Sequence, residues 1–588
     1  MGRQQVSKVE QVKASGDYLR GTLAEELDNG DSHFGADSTQ LLKFHGVYQQ
    51  DDRDIRKERA KRGLGPDYIC MVRASIPGGR LGAEQYLVMD RLADEVGNGS
   101  LRITTRQGIQ YHFARKGDLR TLIGTLNANL VTTLAACGDV VRNLMCCPAP
   151  LADREDADLQ RVTQELSRHL KPATPAYWQL WVDGERAVSA VAPPDDDGEV
   201  EPLYGPTYLP RKFKIGLAFP GDNCVDVYTH DIGVVPRISA DGGVESFTIL
   251  VGGGLGMTHN KPSTYPRLGD PLCAVPPAEL LDTVKAIIGI QRDHGDRSDR
   301  KHARLKYLVA EWGVQRFKAE LDQRLGRRPA PPDLGVLTWE RTDDHLGWHP
   351  QQDGLWFLGV RIPSGRVEDG PVHLRTGLRR VVERFRPDIR FTPRQDVLLC
   401  GIREADRLAV EAELRAHHIP LVEDVSPLAR HALACPALPT CGLALAEAER
   451  VFPAVVERLQ AELESLGLAE KAIHLRMTGC PNGCARPYSS EIGLVGRGHD
   501  KYTVFLGGDA NGTRLNLLYA DHVALDEVVD LLRPVLGAYR AEGQDQETFG
   551  DYCQRVGVEA LRERFPTPKA DRRDRGPSRR AARQTVRA

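Results

Sequence analysis

The 588-residue sequence contains no apolar run approaching the ~20 residues that a membrane-spanning helix needs. Its first residues, MGRQQVSKVEQVKASGDYL, lack the apolar core of an export signal. We therefore expect a cytoplasmic protein with no membrane contact, in a compartment that disfavours disulfides as the purpose of its 12 cysteines. The net charge is close to zero, at −3, so the composition does not indicate nucleic-acid binding. The exception is a basic, apolar-poor tail at 568–588, which is predicted to be disordered.

The sequence repeats itself at long range. IPGGR at 76–80 recurs as IPSGR at 362–366, and LRITTRQGIQY at 101–111 recurs as IRFTPRQDVLL at 389–399. NCVDVYTHDIGVV at 223–235 aligns without gaps on GCARPYSSEIGLV at 483–495, which places Cys224 on Cys484. Because the repeats recur in the same order, and the first two at similar spacing, we predict two copies of one pair of modules, in the order a–b–a′–b′.

Strand-like runs such as FTILVGG alternate with helix-like runs such as AERVFPAVVERLQAELESLG, which predicts an α+β fold, internally duplicated. The predicted units are an N-terminal extension that packs on the body (1–63), module a (64–135), module b (136–335), module a′ (336–408), module b′ (409–567) and the tail (568–588).

Four cysteines lie in two short Pro- and Gly-containing segments, Cys435 with Cys441 and Cys480 with Cys484. Their spacing is loose for zinc and suits the bulkier 4Fe–4S cluster better, although zinc stays open on spacing alone. We also expect a helix directly after Cys441, with its positive end toward an anionic cluster. The adjacent pair Cys146-Cys147 is a poor chelator of one ion. The remaining lone cysteines are expected to be small buried apolar residues: Cys70, Cys137, Cys273, Cys400 and Cys553.

Cationic side chains recur on short predicted strands beside glycine turns. In RKFKIG, strand alternation places Lys212 and Lys214 on one face and Phe213 on the other. Two lysines on one face repel, so an anion should lie between or opposite them. Each residue alone fits a solvated surface charge, whereas the group favours a site for a small anion. The group comprises Arg73, Arg106, His112, Arg142, Arg211, Lys212 and Lys214.

Several stretches resemble the siroheme-dependent sulfite and nitrite reductase family, whose assimilatory branch includes sulfite reductase hemoprotein (beta) components. The resemblance runs from about Asp17 to Pro566, and implies ferredoxin-like half-domains for modules a and a′ and siroheme binding by b and b′. The stretches are HGVYQQDDRDIR (45–56), TTRQGIQYH (104–112), LPRKFK (209–214), VGGGLGMTH (251–259), CPALPTCGLALAEAER (435–450) and TGCPNGCARPY (478–488).

The resemblance also implies residue roles. Cys435, Cys441, Cys480 and Cys484 would be the ligands of a 4Fe–4S cluster, and Cys484 would also be the axial ligand of the siroheme iron. The residues around the bound anion would be Arg73, Arg142, Lys212 and Lys214. The siroheme contacts would be Thr104, Arg106, Gln110, His112, Arg211, Asn482 and Arg486.

The implied activity is the six-electron reduction of sulfite to sulfide, in sulfate assimilation and cysteine biosynthesis. Assimilatory nitrite reduction to ammonia is the alternative, but nitrite-reducing relatives usually carry asparagine where Lys214 stands. Two hypotheses of another class are a cluster protein for electron transfer alone and a structural zinc protein. The first would need no anion pocket, and the second would not need the basic group.

The electron donor is expected to be a separate protein. VGGGLG lacks the strand-to-helix context of a dinucleotide-binding G-x-G-x-x-G motif, so we expect an ordinary turn there. YQQDDRDIR resembles enzymes supplied by an NADPH-dependent flavoprotein subunit, whereas CARPY resembles ferredoxin-supplied relatives. The flavoprotein is the favoured partner and ferredoxin the alternative.

Overall fold

The computed structural model describes residues 6–151, 156–174, 176, 200–240 and 242–566. The tail predicted at 568–588 lies outside these residues. The described strands are β1 (Val47–Asp51), β2 (Tyr68–Arg73), β3 (Arg80–Leu81), β4 (Leu101–Ile103), β5 (Ile109–Ala114), β6 (Met145–Cys146), β7 (Ile215–Leu217), β8 (Gly221–Asp222), β9 (Ile232–Ile238), β10 (Val244–Val251), β11 (Asp270–Val275), β12 (Trp339–Arg341), β13 (Gly347–Pro350), β14 (Trp356–Val360), β15 (Arg366–Val367), β16 (Asp388–Phe391), β17 (Val397–Ile402), β18 (Leu433–Ala434), β19 (Leu475–Thr478), β20 (Ile492–Gly498), β21 (Lys501–Leu506) and β22 (Leu517–Ala524).

Helices cover the outer faces of the sheets, and none of those described is both long and apolar enough to cross a bilayer. The described α-helices are Lys8–Ala14, Leu23–Asp28, Ser38–Leu41, Arg56–Lys61, Ala83–Val96, Leu119–Ala128, Asp156–His169, Leu280–His294, Leu305–Trp312, Val314–Leu325, Leu374–Phe385, Arg407–Ala416, Pro427–Arg430, Phe452–Ser465, Val528–Glu542, Phe549–Val556 and Val558–Arg564.

Two five-stranded sheets have the same strand order and exchange one short strand. The first is ordered β1-β2-β5-β4-β15 and the second β13-β14-β17-β16-β3. Strand β15 therefore belongs in sequence to the second copy but pairs with β4 of the first, and β3 makes the reciprocal pairing with β16. Each copy of the half-domain is completed by the other.

The exchange depends on glycine at the turn before each short strand. Gly365 has φ 74°, and a Cβ there would lie 2.2 Å from the carbonyl oxygen of Ile103. Gly79 has φ 76° and would meet the carbonyl oxygen of Phe391 at 2.4 Å. Only glycine allows both the positive φ and this approach of backbone to backbone. The side-chain amide of Gln395 then donates to Ile103 O at 3.1 Å.

Two other five-stranded sheets repeat a second pattern. They are ordered β6-β7-β9-β10-β11 and β18-β19-β20-β21-β22. In each sheet the first three strands are parallel and the last two are added antiparallel. The register confirms the internal alignment, because Ile215 pairs with Ile232 as Leu475 pairs with Ile492. The predicted α+β fold with an a–b–a′–b′ duplication is confirmed.

The segment before residue 64 adds an edge strand to the first half-domain, because β1 pairs with β2. In the second copy β13 occupies the equivalent edge beside β14. One continuous apolar core spans the first half-domain, module b and the second half-domain, and a separate core fills module b′. The cofactor-related segments lie where these bodies meet.

Candidate active site

The two cysteine segments meet because parallel strands carry them to the same edge. Cys435 follows β18 and Cys480 lies just beyond β19, and the backbone N–H of Cys435 donates to Met477 O at 3.2 Å. Polar hydrogens face the sulfurs: Gly479 N–H lies 3.3 Å from Cys435 Sγ, and Asn482 Nδ2 lies 3.4 Å from Cys480 Sγ. Cys484 is the exposed one of the 12 cysteines, all of which are described.

The four cysteines influence one another's ionisation. Burial and then the Cys484 sulfur raise the pKa of Cys480 to about 12, and the same causes raise the pKa of Cys435 and Cys441. Four neighbouring thiols that resist ionisation in this way fit a site where a cationic iron–sulfur core stabilises the thiolates.

The helix expected directly after Cys441 is absent, and that prediction is wrong. Residues 441–451 form turns, and the next helix begins only at Phe452. The backbone N–H groups of Leu445 and Ala446 donate instead to Gly479 O, at 2.8 and 3.1 Å. These bonds hold the segment after Cys441 against the segment that carries Cys480.

The glycine-rich VGGGLG segment, expected to be an ordinary turn, packs against the cysteine segment of module b′. Met257 N–H donates to Pro481 O at 2.8 Å, and a Cβ on Gly256 would lie 3.1 Å from Asn482 O. The Tyr488 hydroxyl donates to the same Pro481 oxygen at 3.0 Å. The turn around Cys480 is therefore fixed from both modules b and b′.

The basic residues of module b gather on two adjacent segments. Phe213 N–H donates to Val140 O at 3.0 Å and Arg142 N–H donates to Phe213 O at 2.9 Å, which aligns the two segments side by side. Phe213 is buried in the core, whereas Lys212 and Lys214 on either side of it keep some exposure, as the alternation predicted.

The surroundings of both lysines disfavour their charged forms. Burial and then Arg211 and Arg142 lower the pKa of Lys212 to about 7. Burial and then Lys212 lower the pKa of Lys214 well below its usual range. The Cys484 sulfur acts in the opposite direction on both, so it lies within electrostatic reach of both ammonium groups. Lys212, Lys214 and Cys484 therefore interact electrostatically.

Arg73 and Arg142 lie near Tyr48 and Cys137, two residues that the sequence did not single out for this site. Arg73 NH1 lies 3.2 Å from Cys137 Sγ, so Cys137 is not the purely apolar core residue that was expected. Arg142 donates from Nε and NH2 to Gly138 O, both at 3.1 Å, and its NH2 lies 3.5 Å from the Tyr48 hydroxyl. The backbone acceptor fixes the direction of the Arg142 guanidinium.

Three predicted siroheme contacts, on the segment after β4 and on β5, have buried side-chain atoms without a hydrogen-bond partner. The atoms are Arg106 Nε, Gln110 Oε1 and both ring nitrogens of His112. Burial and then Arg366 and Arg102 lower the pKa of His112 well below its usual range. Such atoms are rare in native proteins unless a bound group satisfies them. Three predicted siroheme contacts thus offer unused polar atoms, as a polar macrocycle requires.

Three of the other predicted siroheme contacts, Thr104, Asn482 and Arg486, have polar partners within the protein. The Thr104 hydroxyl accepts from the N–H groups of Arg106 and Gly108, and the Asn482 amide faces Cys480. Arg486 pairs with Asp226 and donates to Thr105 O and Pro393 O, at 3.2 and 3.1 Å. Burial and then Arg300 lower the pKa of Arg211 to about 10.

Two further cations were missed because they lie at the start of the helix Leu305–Trp312, in no recognisable motif. Arg304 forms a two-pronged pair with Asp231, whose Oδ2 also accepts the Lys214 N–H at 2.9 Å. Lys306 donates to Gly254 O and Gly256 O, at 3.0 and 2.9 Å, and burial and then Arg304 lower its pKa to about 6. A cavity of about 780 Å³ also borders Arg304 and is lined by none of the predicted site residues.

Two family models match the chain, each twice and in alternation. The ferredoxin-like half domain of nitrite/sulfite reductases matches residues 62–129 and 349–417. The nitrite and sulphite reductase 4Fe-4S domain matches residues 137–329 and 427–571. The alternation agrees with the duplicated sheets.

Curated relatives align along nearly the whole chain. A protein named sulfite reductase (ferredoxin) from Synechococcus elongatus is 44% identical, over 95% of this chain and 91% of that protein. A protein named sulfite reductase (NADPH) hemoprotein beta-component from Myxococcus xanthus is 45% identical, over 94% of this chain and 97% of that protein. The solved structure of Mycobacterium tuberculosis NirA has a TM-score of 0.75 at 24% identity, over 95% of this chain and 98% of that one, which is a likeness of fold.

Proposed function

The chain belongs to the nitrite and sulphite reductase family, and we propose that it reduces sulfite to sulfide at a siroheme coupled to a 4Fe–4S cluster. The observation that carries the proposal is the adjacent lysine pair Lys212 and Lys214, which lies within electrostatic reach of the Cys484 sulfur. An electron-transfer protein needs no pair of depressed-pKa lysines at its cluster, and a structural zinc site needs neither lysine.

Cys435, Cys441, Cys480 and Cys484 would hold the cluster, and Cys484 would also hold the siroheme iron. Arg106, Gln110 and His112 would satisfy their unused polar atoms on the siroheme, together with Thr104, Arg211, Asn482 and Arg486. When bound, the two groups would pass the six electrons from the separate donor to the substrate, and the protein would supply position and electrostatic field.

Arg73, Arg142, Lys212 and Lys214 would bind the substrate. Sulfite is a small dianion, and its conversion to sulfide consumes six electrons and seven protons and releases three waters. Fixed cations attract and orient such an anion and stabilise the charge that develops as S–O bonds break. With its pKa lowered to about 7, Lys212 can also give up a proton at neutral pH.

Nitrite reduction to ammonia is the second candidate activity. Nitrite carries one negative charge and sulfite two, so a pocket that keeps two lysines adjacent in spite of their repulsion favours the dianion. We therefore propose sulfite as the main substrate.

The electron donor is proposed to be a separate NADPH-dependent flavoprotein subunit, with ferredoxin as the alternative. Relatives of nearly equal identity are named for each donor, so their names do not separate the two. A cytoplasmic location and the domain limits at 63, 135, 335, 408 and 567 are part of the same proposal.

The activity is tested by supplying the purified holoprotein with reduced methyl viologen and either sulfite or nitrite. Sulfide formed from sulfite with the higher kcat/KM supports the proposal, whereas ammonia formed from nitrite with the higher kcat/KM makes the second candidate the function. Replacing methyl viologen by an NADPH flavoprotein or by reduced ferredoxin then identifies the donor.

A further inference from the structure

A second metal-ligand set combines three residues of module b with one from the start of module a′, apart from the four-cysteine region. Cys147, Asp222, Cys224 and His345 each offer one ligand atom, and these atoms all lie within 4.8 Å of one another. All four side chains are buried, none more than 2% exposed. Burying a thiol pair, a carboxylate and an imidazole together is costly unless they are hydrogen-bonded or bind a cation.

The spacing suits one tetrahedral ion. His345 Nε2 lies 3.7 Å from Cys147 Sγ and 3.6 Å from Asp222 Oδ2. A tetrahedral zinc ion, with bonds of about 2.3 Å to sulfur and about 2.0–2.1 Å to nitrogen or oxygen, sets such atoms about 3.4–3.6 Å apart. The same nitrogen thus faces two other ligand atoms at the separation that a shared zinc would impose.

Backbone N–H groups orient the Asp222 carboxylate. Asp222 Oδ1 accepts from the N–H groups of Cys224 and Asp343, both at 3.2 Å, which leaves Oδ2 directed at His345. The backbone N–H of His345 donates to Asp343 Oδ1 at 2.9 Å, which holds the residue beside Asp222.

The backbone at His345 is held in an uncommon conformation. Its φ is 59°, which is rare for a residue with a side chain. Its carbonyl oxygen fits against Gly359 of β14, where a Cβ would lie only 1.9 Å away. Packing against the second half-domain therefore holds His345 next to Cys147, Asp222 and Cys224.

We propose that Cys147, Asp222, Cys224 and His345 bind one structural Zn²⁺. Two thiolates, one imidazole and one carboxylate form a closed tetrahedral set that leaves no position for a substrate. His345 lies in the connection between β12 and β13, which leads into the second copy, and Asp222 and Cys224 lie at the end of β8 and just after it. The ion would hold these two segments together beside the pairing of β12 with β8. Cys224 would thus bind a different metal at the position that Cys484 occupies in module b′.

The test measures zinc in the holoprotein by mass spectrometry after dialysis against a weak chelator. We expect about one zinc per chain beside the cofactor iron, with sulfur and N/O ligands by X-ray absorption. Less than about a tenth of a zinc per chain, even after Zn²⁺ is added before dialysis, overturns the proposal. A disulfide between Cys147 and Cys224 found by peptide mass mapping would overturn it as well.

Variants locate the ion. Cys224→Ala and Cys147→Ala are expected to lose zinc at least about tenfold while keeping the cofactor absorbance, and Cys273→Ala, a buried cysteine outside the cluster, is the matched control that keeps zinc. Cys435→Ser is expected to keep the zinc too. Zinc that disappears with Cys435→Ser but remains in Cys224→Ala would belong to the four-cysteine region, and the proposed site would be wrong. The measurement on the unsubstituted protein stands even if a variant fails to fold, and it does not depend on the proposed reaction.

Discussion

Lys214 is the residue that bears most directly on substrate choice. Its backbone N–H donates to Asp231, and the charge of Lys212 acts on its ammonium group, so we expect the two lysines to act together on a bound anion. We predict that Lys214→Asn lowers kcat/KM for sulfite about 10- to 100-fold more than for nitrite, because the dianion loses more electrostatic stabilisation. Lys301→Asn, at an exposed lysine, is the control. An unchanged sulfite-to-nitrite ratio would remove the case for Lys214 as the discriminator.

Lys212 predicts a pH dependence. Its pKa is lowered to about 7, so the cation that we propose attracts sulfite and donates a proton is lost as the pH rises through 7. We expect kcat/KM for sulfite to fall above that pH, since kcat/KM reports the ionisation of the free enzyme. In Lys212→Arg the side chain stays charged, so the fall should flatten. A fall that persists in Lys212→Arg belongs to sulfite or to another group.

Single residues show where sequence reasoning succeeds and fails. The lysine pair and the two cysteine pairs could be predicted because each pair is local in sequence, and strand alternation or turn spacing then predicts a shared face. Arg304, Lys306, Tyr48 and Cys137 were missed because only the tertiary fold brings them near that face. The same holds for Cys147 and His345, which are distant in sequence and match no spacing motif.

At the scale of elements, the exchange of strands β3 and β15 is the feature that could not be predicted from the sequence. Each has two residues, too few for a period-two pattern, although the repeated IPGGR and IPSGR segments that contain them were recognised. In β15, Arg366 lies opposite Arg102 of β4, and Glu449 bridges the two like charges with contacts of 2.7 and 2.8 Å. The backbone of Glu449 in turn donates to Cys435 O, which links the exchange to the cysteine segment.

The exchange predicts a large cost for any side chain at its glycines. We expect Gly365→Ala to lower the free energy of unfolding about 1–3 kcal/mol more than Gly401→Ala, measured by urea denaturation. Both glycines have φ above 70°, but a Cβ at Gly365 would strike Ile103 O whereas one at Gly401 meets nothing within 4 Å. Equal losses in the two variants would show that the close approach at Gly365 does not exist.

At the scale of the whole molecule, the two copies are joined by a pair of equivalent positions. The internal alignment places Asp226 on Arg486, both residues have positive φ, and their side chains form a buried ion pair that Arg476 joins at 3.0 Å. The duplication could be predicted from the sequence. The ion pair between the copies could not, because a sequence alignment shows which residues are similar and not which residues are in contact.

Removing the Asp226 charge leaves two buried guanidinium groups without a counter-charge. We predict that Asp226→Asn destabilises the protein by about 3–5 kcal/mol in chemical denaturation. Glu245→Gln, which removes an exposed partner of Arg237, should cost less than about 1 kcal/mol. Comparable effects of the two substitutions would contradict a structural role for the buried pair.

The central claim is that Cys484 links a siroheme to a 4Fe–4S cluster beside an anion site. The visible absorption spectrum of the purified protein tests it most directly, with Cys435→Ser as the paired sample. The account predicts the Soret and red bands of siroheme together with cluster absorbance in the unsubstituted protein, and the loss of both chromophores in Cys435→Ser. A spectrum that shows neither siroheme band after reconstitution, or a Cys435→Ser protein that keeps either chromophore with normal activity, would contradict it.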